Sequence, residues 1–407
     1  ADMEKISDYR DFLSSPLYIN LIVSQICDLN NIKDENQFRE YIWENIICRN
    51  NKKYKDLIND IVFARAKSLS VGVSVDRYDT ADINELISAG VLVRNSGSIR
   101  LKYDMFEDIC FERFFDRTFD ECKGDYNSFF DKISVLGSCI NRRYQIWIEN
   151  KLLAKSNREK FLYDLIFSNT IPSKWKEQTL IGLIKSRHSK PFFTEYGKDL
   201  IRKNLLNDFI SLTNLYGFEI NSSFISQYII SLNASGIGRA CLIHLIASEK
   251  WHVGNVSTWS AISKLCSDYS KQKPFNKEIA CDCLDILSYM IESNFPITSK
   301  TDIYKFDDKI NNLVLPIYNM AECTSEWIKS FWVKISDLYK SGEHNKVSLG
   351  SDIIEYALKF EHIALAKYLP KELCDLADLF WTYDPEIKEK RYRGIFPRDK
   401  KEMSYIY

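Results

Sequence analysis

The chain has 407 residues, enough for two or three domains. Its 45% hydrophobic and 27% charged content fits a soluble globular protein, and a formal net charge of −1 supplies no global field toward nucleic acid or anionic lipid. No apolar run approaches the ~18 residues of a membrane span and no signal peptide is visible, so no membrane partner is expected and a cytoplasmic location is.

With only 14 glycines and 9 prolines, the composition favours helices joined by short turns over a β-sandwich. The 11 cysteines are an odd count, and Cys27, Cys110 and Cys283 fall inside apolar helical patterns. They read as reduced thiols packed as small hydrophobes.

Residues 1–50 read as a helical domain of two or three helices. Ile19, Ile22, Val23 and Ile26 make one apolar stripe, and Phe38, Ile42, Trp43 and Ile46 make another. Residues 51–125 read as a winged helix. Leu57, Ile61, Ala64 and Leu69 mark its first helix, and Asp79 caps a second over Thr80–Ala89, with Asp82 in its first turn. Val91–Arg94 and Ile99–Tyr103 form a hairpin around Asn95–Ser98, and a third helix opens at Tyr103–Asp104 with Phe106, Ile109, Cys110 and Phe114 on one stripe. The second helix carries Asp82 and Glu85 and no Lys or Arg, so it is a poor reader of DNA, and no nucleic-acid partner is expected.

Residues 126–382 are helix after helix. Leu162, Leu165 and Ile166 begin one stripe. Ile225, Tyr228, Ile229 and Leu232 form another, as do Ile279, Cys283, Ile286, Leu287 and Met290. Breaks are expected at 169–173, 216–217, 235–236, 251–255, 273–274, 295–296 and 341–345. The spacing of ~40 residues per helix pair matches HEAT-like repeats without a strict signature, and an irregular HEAT/TPR-like α-solenoid is the expected architecture. The expected fold class is therefore all-α, with a small winged-helix β-hairpin. Residues 383–407 form a basic tail in which Lys388, Lys390, Arg391, Arg393, Arg398, Lys400 and Lys401 cluster beside Tyr392 and Phe396. Its interleaved acids, Glu386, Glu389, Asp399 and Glu402, favour a solvated connector over a nucleic-acid contact.

The first third of the chain resembles the STAND-type NTPases, a group that includes NACHT proteins, NOD-like receptors and bacterial antiviral ATPases. Three segments carry the resemblance. Leu101, Tyr103, Phe106, Asp108 and Ile109 stand at the positions of the family motif F-x-H-x-x-F-x-[DE]-[YF] where the wing enters its helix, Phe106 and Asp108 with the motif's own residues. Phe12 to Ile22, with Pro16, is similar to the helix start just after the ATPase core, and Phe38 to Trp43 looks like the next helix. The resemblance implies that Pro16 and Tyr103 lie near the nucleotide in a full-length protein. Tyr103 stands where the family often has a histidine. A phenol donates one hydrogen bond to a phosphate but brings no charge near neutral pH, and Tyr103 also reads simply as a core aromatic. Pro16 equally suits the first turn of any helix.

No G-x-x-x-x-G-K-[ST] occurs. Gly197-Lys198-Asp199 comes nearest and lacks both the upstream glycine and the hydroxyl for Mg²⁺. The expectation is a C-terminal portion of a larger ATPase that needs ATP or ADP and Mg only in its full-length form, and is not itself an enzyme. The resemblance implies a protein ligand on the solenoid, a phage protein in antiviral members. It implies ATPase and effector domains N-terminal in the same chain, and oligomers only in the activated form. Two other classes stay open: a helical-repeat interaction scaffold with no ATPase attached, and a winged-helix transcription regulator. Arg239 and His244 have a ribonuclease-like R-x₄-H spacing, but five residues along a helix place them ~140° apart, and His244 reads as a core histidine. Cys281 and Cys283 lack the further ligands a zinc site needs, so no metal is expected.

Overall fold

The computed structural model describes residues 18–21, 32, 35–153, 158–186, 189–216, 234–271, 275–294, 307–341, 354, 357–358 and 362–383. These are mostly helical, with one small three-stranded antiparallel sheet. The chain divides into two compact units, Ala1–Tyr196 with Tyr216–Gly238, and Gly197–Leu215 with Arg239–Tyr407.

In the first unit, helix α1 (Glu35–Tyr41) runs into a π-helical turn, Ile42–Ile47. The wider turn buries Ile42, Trp43, Ile46 and Ile47 together. Arg49 and Asn50 then reverse the chain, both with left-handed backbone. Asn51 caps α2 (Lys52–Ser68) by accepting from the Lys53 N–H. The inward face of α2 is Tyr54, Ile58, Ile61, Val62 and Ala66, which shares only Ile61 with the expected stripe. Leu57 is half-buried, and Leu69 stands exposed at the C-cap with φ 51°. At 18–21 the faces are also reversed, with Tyr18 and Leu21 buried and Ile19 exposed.

Strand β1 (Val73–Ser74) and a 3₁₀ turn (Val75–Arg77) lead to α3 (Thr80–Ser88), capped as expected by Asp79, which accepts from the Ala81 N–H. Strands β2 (Leu92–Asn95) and β3 (Ser98–Leu101) form the expected hairpin. Ser96 and Gly97 turn it with positive φ at both positions, the type I′ geometry that matches strand twist. The sheet order is β1-β3-β2, so the hairpin gains a third strand the sequence did not announce. Two residues are too few to show an alternation.

Helix α4 (Asp104–Glu121) is the centre of this unit and buries Phe106, Ile109, Cys110, Phe111 and Phe115. It packs against α5 (Tyr126–Ser134) and α6 (Ile140–Leu153). Next come α7 (Arg158–Phe167) and α8 (Ser173–Lys185), the latter lying closely along α6. Gly182 permits that approach, since a Cβ there would stand 3.0 Å from the Gln145 carbonyl and from Ile148.

Four more helices are α9 (Lys190–Arg202), α10 (Leu206–Tyr216), α11 (Ala234–Ser248) and the short α12 (Trp251–Gly254). Ser235–Gly236, expected as a break, lies inside α11. With an apolar run after it, the two glycines, Gly236 and Gly238, cost less than the helix gains. The second unit continues through α13 (Trp259–Ser270), α14 (Lys277–Asn294), α15 (Asp307–Asn319), α16 (Ala321–Ser341), α17 (His362–Tyr368) and α18 (Pro370–Tyr383). Here α15 packs on α13 and α14, and α16 on α14, α15, α17 and α18. The expected stripe of α14 is the buried one, Ile279, Cys283, Ile286, Leu287 and Met290. The stripe at 225–232, Pro16 and the basic tail from 384 onward lie outside the described residues.

The described cysteines are free thiols. Burial and the nearby Glu44 push the Cys48 thiol up to about 12, and burial raises Cys110 and Cys283 as well. In the native protein the exposed Cys281 and Cys374 are expected to react with an aromatic disulfide reagent within minutes, while Cys48, Cys110, Cys266 and Cys283 wait for unfolding. Peptide mapping of the modified thiols checks this; early labelling of the buried set would contradict the packing.

Candidate functional site

The corner between the hairpin and α4 gathers the residues singled out in sequence. Gly90 turns the chain with φ 74°, and Val91 is then clasped twice. Its N–H donates to the Leu86 carbonyl and its own carbonyl accepts from the Lys102 N–H, both at 2.9 Å. These bonds place Tyr103 at the N-cap of α4. Its side chain makes no capping bond, and its carbonyl accepts from the Phe106 N–H at 3.1 Å. The half-buried Tyr103 ring stands edge-on to Phe106, centroids 5.2 Å apart. The Lys102 ammonium lies 5.2 Å from the centroid of the same ring. The phenol oxygen has no hydrogen-bond partner among the described residues. Pro16 lies outside the described residues, so of the two expected nucleotide-proximal residues only Tyr103 is placed.

One turn into α4 lies a charge cluster that sequence reading missed. Glu107 is 2% exposed. Its Oε1 is paired with Arg65 from α2, and its Oε2 accepts from Arg143 of α6 at 2.7 Å. Arg143 also donates to the Cys139 carbonyl at 3.2 Å and lies 4.7 Å over the Phe111 ring. Its Nε sits 3.9 Å from Asp108, beyond hydrogen-bond reach. Burial raises the Asp108 carboxyl, against the pull of Arg143, Arg142 and Arg39. Burial, then repulsion by Arg143, lowers Arg65. A warning signal did exist in the sequence: Glu107 sits beside Phe106, and its neighbours one turn on, Cys110 and Phe111, are apolar.

Further along α4, the buried Arg39 of α1 donates from Nε and a terminal nitrogen to Glu112 at 3.0 and 2.6 Å and from its other terminal nitrogen to the Tyr18 hydroxyl at 3.0 Å. Arg113 pairs with Glu40, and Asp116 accepts from Trp147 Nε1 at 3.0 Å and from Lys151. Ion pairs from α1, α2 and α6 thus converge on one helix.

Elsewhere the geometry is sparse. His244 is exposed, not a core residue, with Nδ1 2.9 Å from Asp282 Oδ2, because α11 turns that one position outward from an otherwise apolar run. Arg239 is buried, on a different aspect of the helix from His244. Cys281 is exposed and Cys283 buried, so the two thiols do not share a face. Among the described residues no group of His, Cys, Asp or Glu is arranged to hold a metal ion, and no helix is long and apolar enough to cross a membrane.

Neither a family model nor any of the curated proteins compared with the sequence matches it.

Proposed function

We propose that this chain is the regulatory and ligand-sensing portion of a STAND-type NTPase, of the kind used in bacterial defence or signalling. In this reading residues 51–125 are a winged helix that gates the nucleotide and the later helices are a sensor solenoid for a protein ligand. The observation that carries the reading is the Tyr103 corner. A type I′ hairpin runs straight into α4 and leaves one unpartnered phenol donor beside the Lys102 ammonium at the helix entry. A phenol O–H and an ammonium are both donors of the kind a phosphate oxygen accepts from; ATP or ADP with Mg would reside on domains outside this chain's motifs. The helix order α2, α3, hairpin, α4 supports the winged helix, and the stepwise packing of α13 through α18 on near neighbours in sequence supports a repeat-like stack.

The test has two parts. The gene is expected to encode a G-x-x-x-x-G-K-[ST] upstream of this sequence, and the 407-residue chain alone is expected to show no Mg-dependent ATP binding by calorimetry up to about 1 mM, a limit of roughly −4 kcal/mol. In the full-length protein, Tyr103→His adds a donor able to carry charge and is expected to raise the ligand concentration needed for effector activation. A tight ATP complex of this chain, or a gene without any upstream ATPase, would overturn the reading.

A further inference from the structure

The surface loop that follows α2 is built in an unusual way. Leu69 and Val71 point outward, 73% and 79% exposed, and Leu69 holds φ 51°, a conformation that costs a side-chain-bearing residue energy. Neither feature stabilises the loop, so its shape depends on its bonds. Several of these join neighbouring serines and carbonyls. Ser68 Oγ donates to the Ala64 carbonyl at 2.9 Å, the Ser68 and Ser70 hydroxyls meet at 2.6 Å, and Ser70 Oγ donates to the Gly72 carbonyl at 2.8 Å. Another links the loop to the charge cluster: Arg65 Nε donates to the Ser70 carbonyl at 3.3 Å, while the same guanidinium is paired with Glu107. Arg65 therefore holds the loop with one edge and a buried carboxylate with the other.

We propose that Arg143, Glu107 and Arg65 form an ionic relay through which α6 sets the conformation of the loop 69–72. Glu107 divides its two oxygens between two arginines from different helices. While Arg143 occupies Oε2, Arg65 has only Oε1, and its Nε is left for Ser70. Arg143 is fixed in turn by the Cys139 carbonyl, at the entry to α6, and by the Phe111 ring of α4. When Arg143 withdraws, two forces act on Arg65 in the same direction. The repulsion between the two guanidinium groups disappears, and Oε2 becomes vacant. A guanidinium facing a whole carboxylate in a buried site closes on it with two parallel N–H bonds. Turning to do so takes Nε away from the Ser70 carbonyl, and the loop loses the bond that ties it to the charge cluster. The two arrangements differ in named contacts, which is what lets a movement of α6 bias one against the other. The relay goes beyond the proposed function and does not depend on it.

Hydrogen exchange on the 407-residue chain tests the relay. In Arg143→Gln, peptides covering residues 66–75 are expected to exchange about tenfold faster than in the wild type, while α5 peptides (126–134), which carry no member of the relay, keep their rates within about twofold. Arg143→Lys keeps a cation for Glu107 but not the fork or the ring stacking. It should quicken residues 66–75 by about threefold, and it carries the test if the glutamine variant does not fold. An unchanged rate at 66–75 overturns the proposal. So does an equal acceleration of 66–75 and 126–134, which would mean that Arg143 supports the whole unit and signals nothing to the loop.

Discussion

Replacing Trp147 with alanine is expected to cost ~3–5 kcal/mol of stability, the largest single loss for an apolar side chain in the first unit. The residue is 1% exposed. Its ring meets Phe115, Phe119, Phe129, Tyr144 and Phe161 with centroids 5.5 to 6.0 Å apart. No smaller side chain fills a space shared by so many elements: α4, α5, α6 and α7 all contribute a ring. The indole N–H also satisfies Asp116 at 3.0 Å, and Lys151 both pairs with that carboxylate and lies 5.1 Å over the indole. Trp147→Phe keeps a ring and loses the donor, so its cost should be nearer ~1–2 kcal/mol. Urea titration of the two variants reads the difference. A loss below ~1 kcal/mol for the alanine variant would mean that the ring cluster closes over the gap or is not packed as described.

Glu107→Ala is expected to destabilise by a similar ~3–5 kcal/mol, for an electrostatic reason. Two guanidinium groups would be left facing each other in a site with one remaining carboxylate, Asp108, too far from Arg143 Nε to bond. Glu107→Gln keeps the shape and one acceptor and isolates the charge, and should lose about half as much. Because the carboxylate is buried, raising salt from 0.1 to 1 M should leave the difference nearly unchanged, whereas the contribution of an exposed pair such as Arg49–Glu85 should fade. Chemical denaturation at two salt concentrations separates the cases. A loss that vanishes in high salt would place Glu107 in water.

How much of this was legible beforehand follows from what each residue pattern can encode. The hairpin was, because Ser96–Gly97 supplies the positive φ a type I′ turn needs and the flanking residues alternate. The helix cap at Asp79 was, since a carboxylate before an amphipathic run has one common use. Trp43 and Phe106, on stripes expected to face the core, are buried. The inward phase of α2 was not legible: its buried face includes Tyr54 and its exposed end includes Leu69, so apolarity and burial part company there. The candidate corner was found through Tyr103, but the cluster behind it joins residues 65, 107 and 143, and pairing across such separations leaves no periodic trace. His244 shows the same limit in reverse, an outward side chain in a run that reads as core.

The π-helical turn at Ile42–Ile47 has a consequence for how this sequence can change in length. There the Cys48 N–H reaches back five residues to the Trp43 carbonyl at 2.9 Å, so the turn holds one residue more than an α-turn does. That residue is slack. Losing one position between 42 and 47 would convert the turn to ordinary α geometry and leave Phe38 and Tyr54 near their present places. The same deletion inside α4 would rotate everything after it by about 100° about the helix axis and scatter the ion pairs that converge there. Relatives of this chain should therefore tolerate a gap at residues 42–47 and none across 104–121.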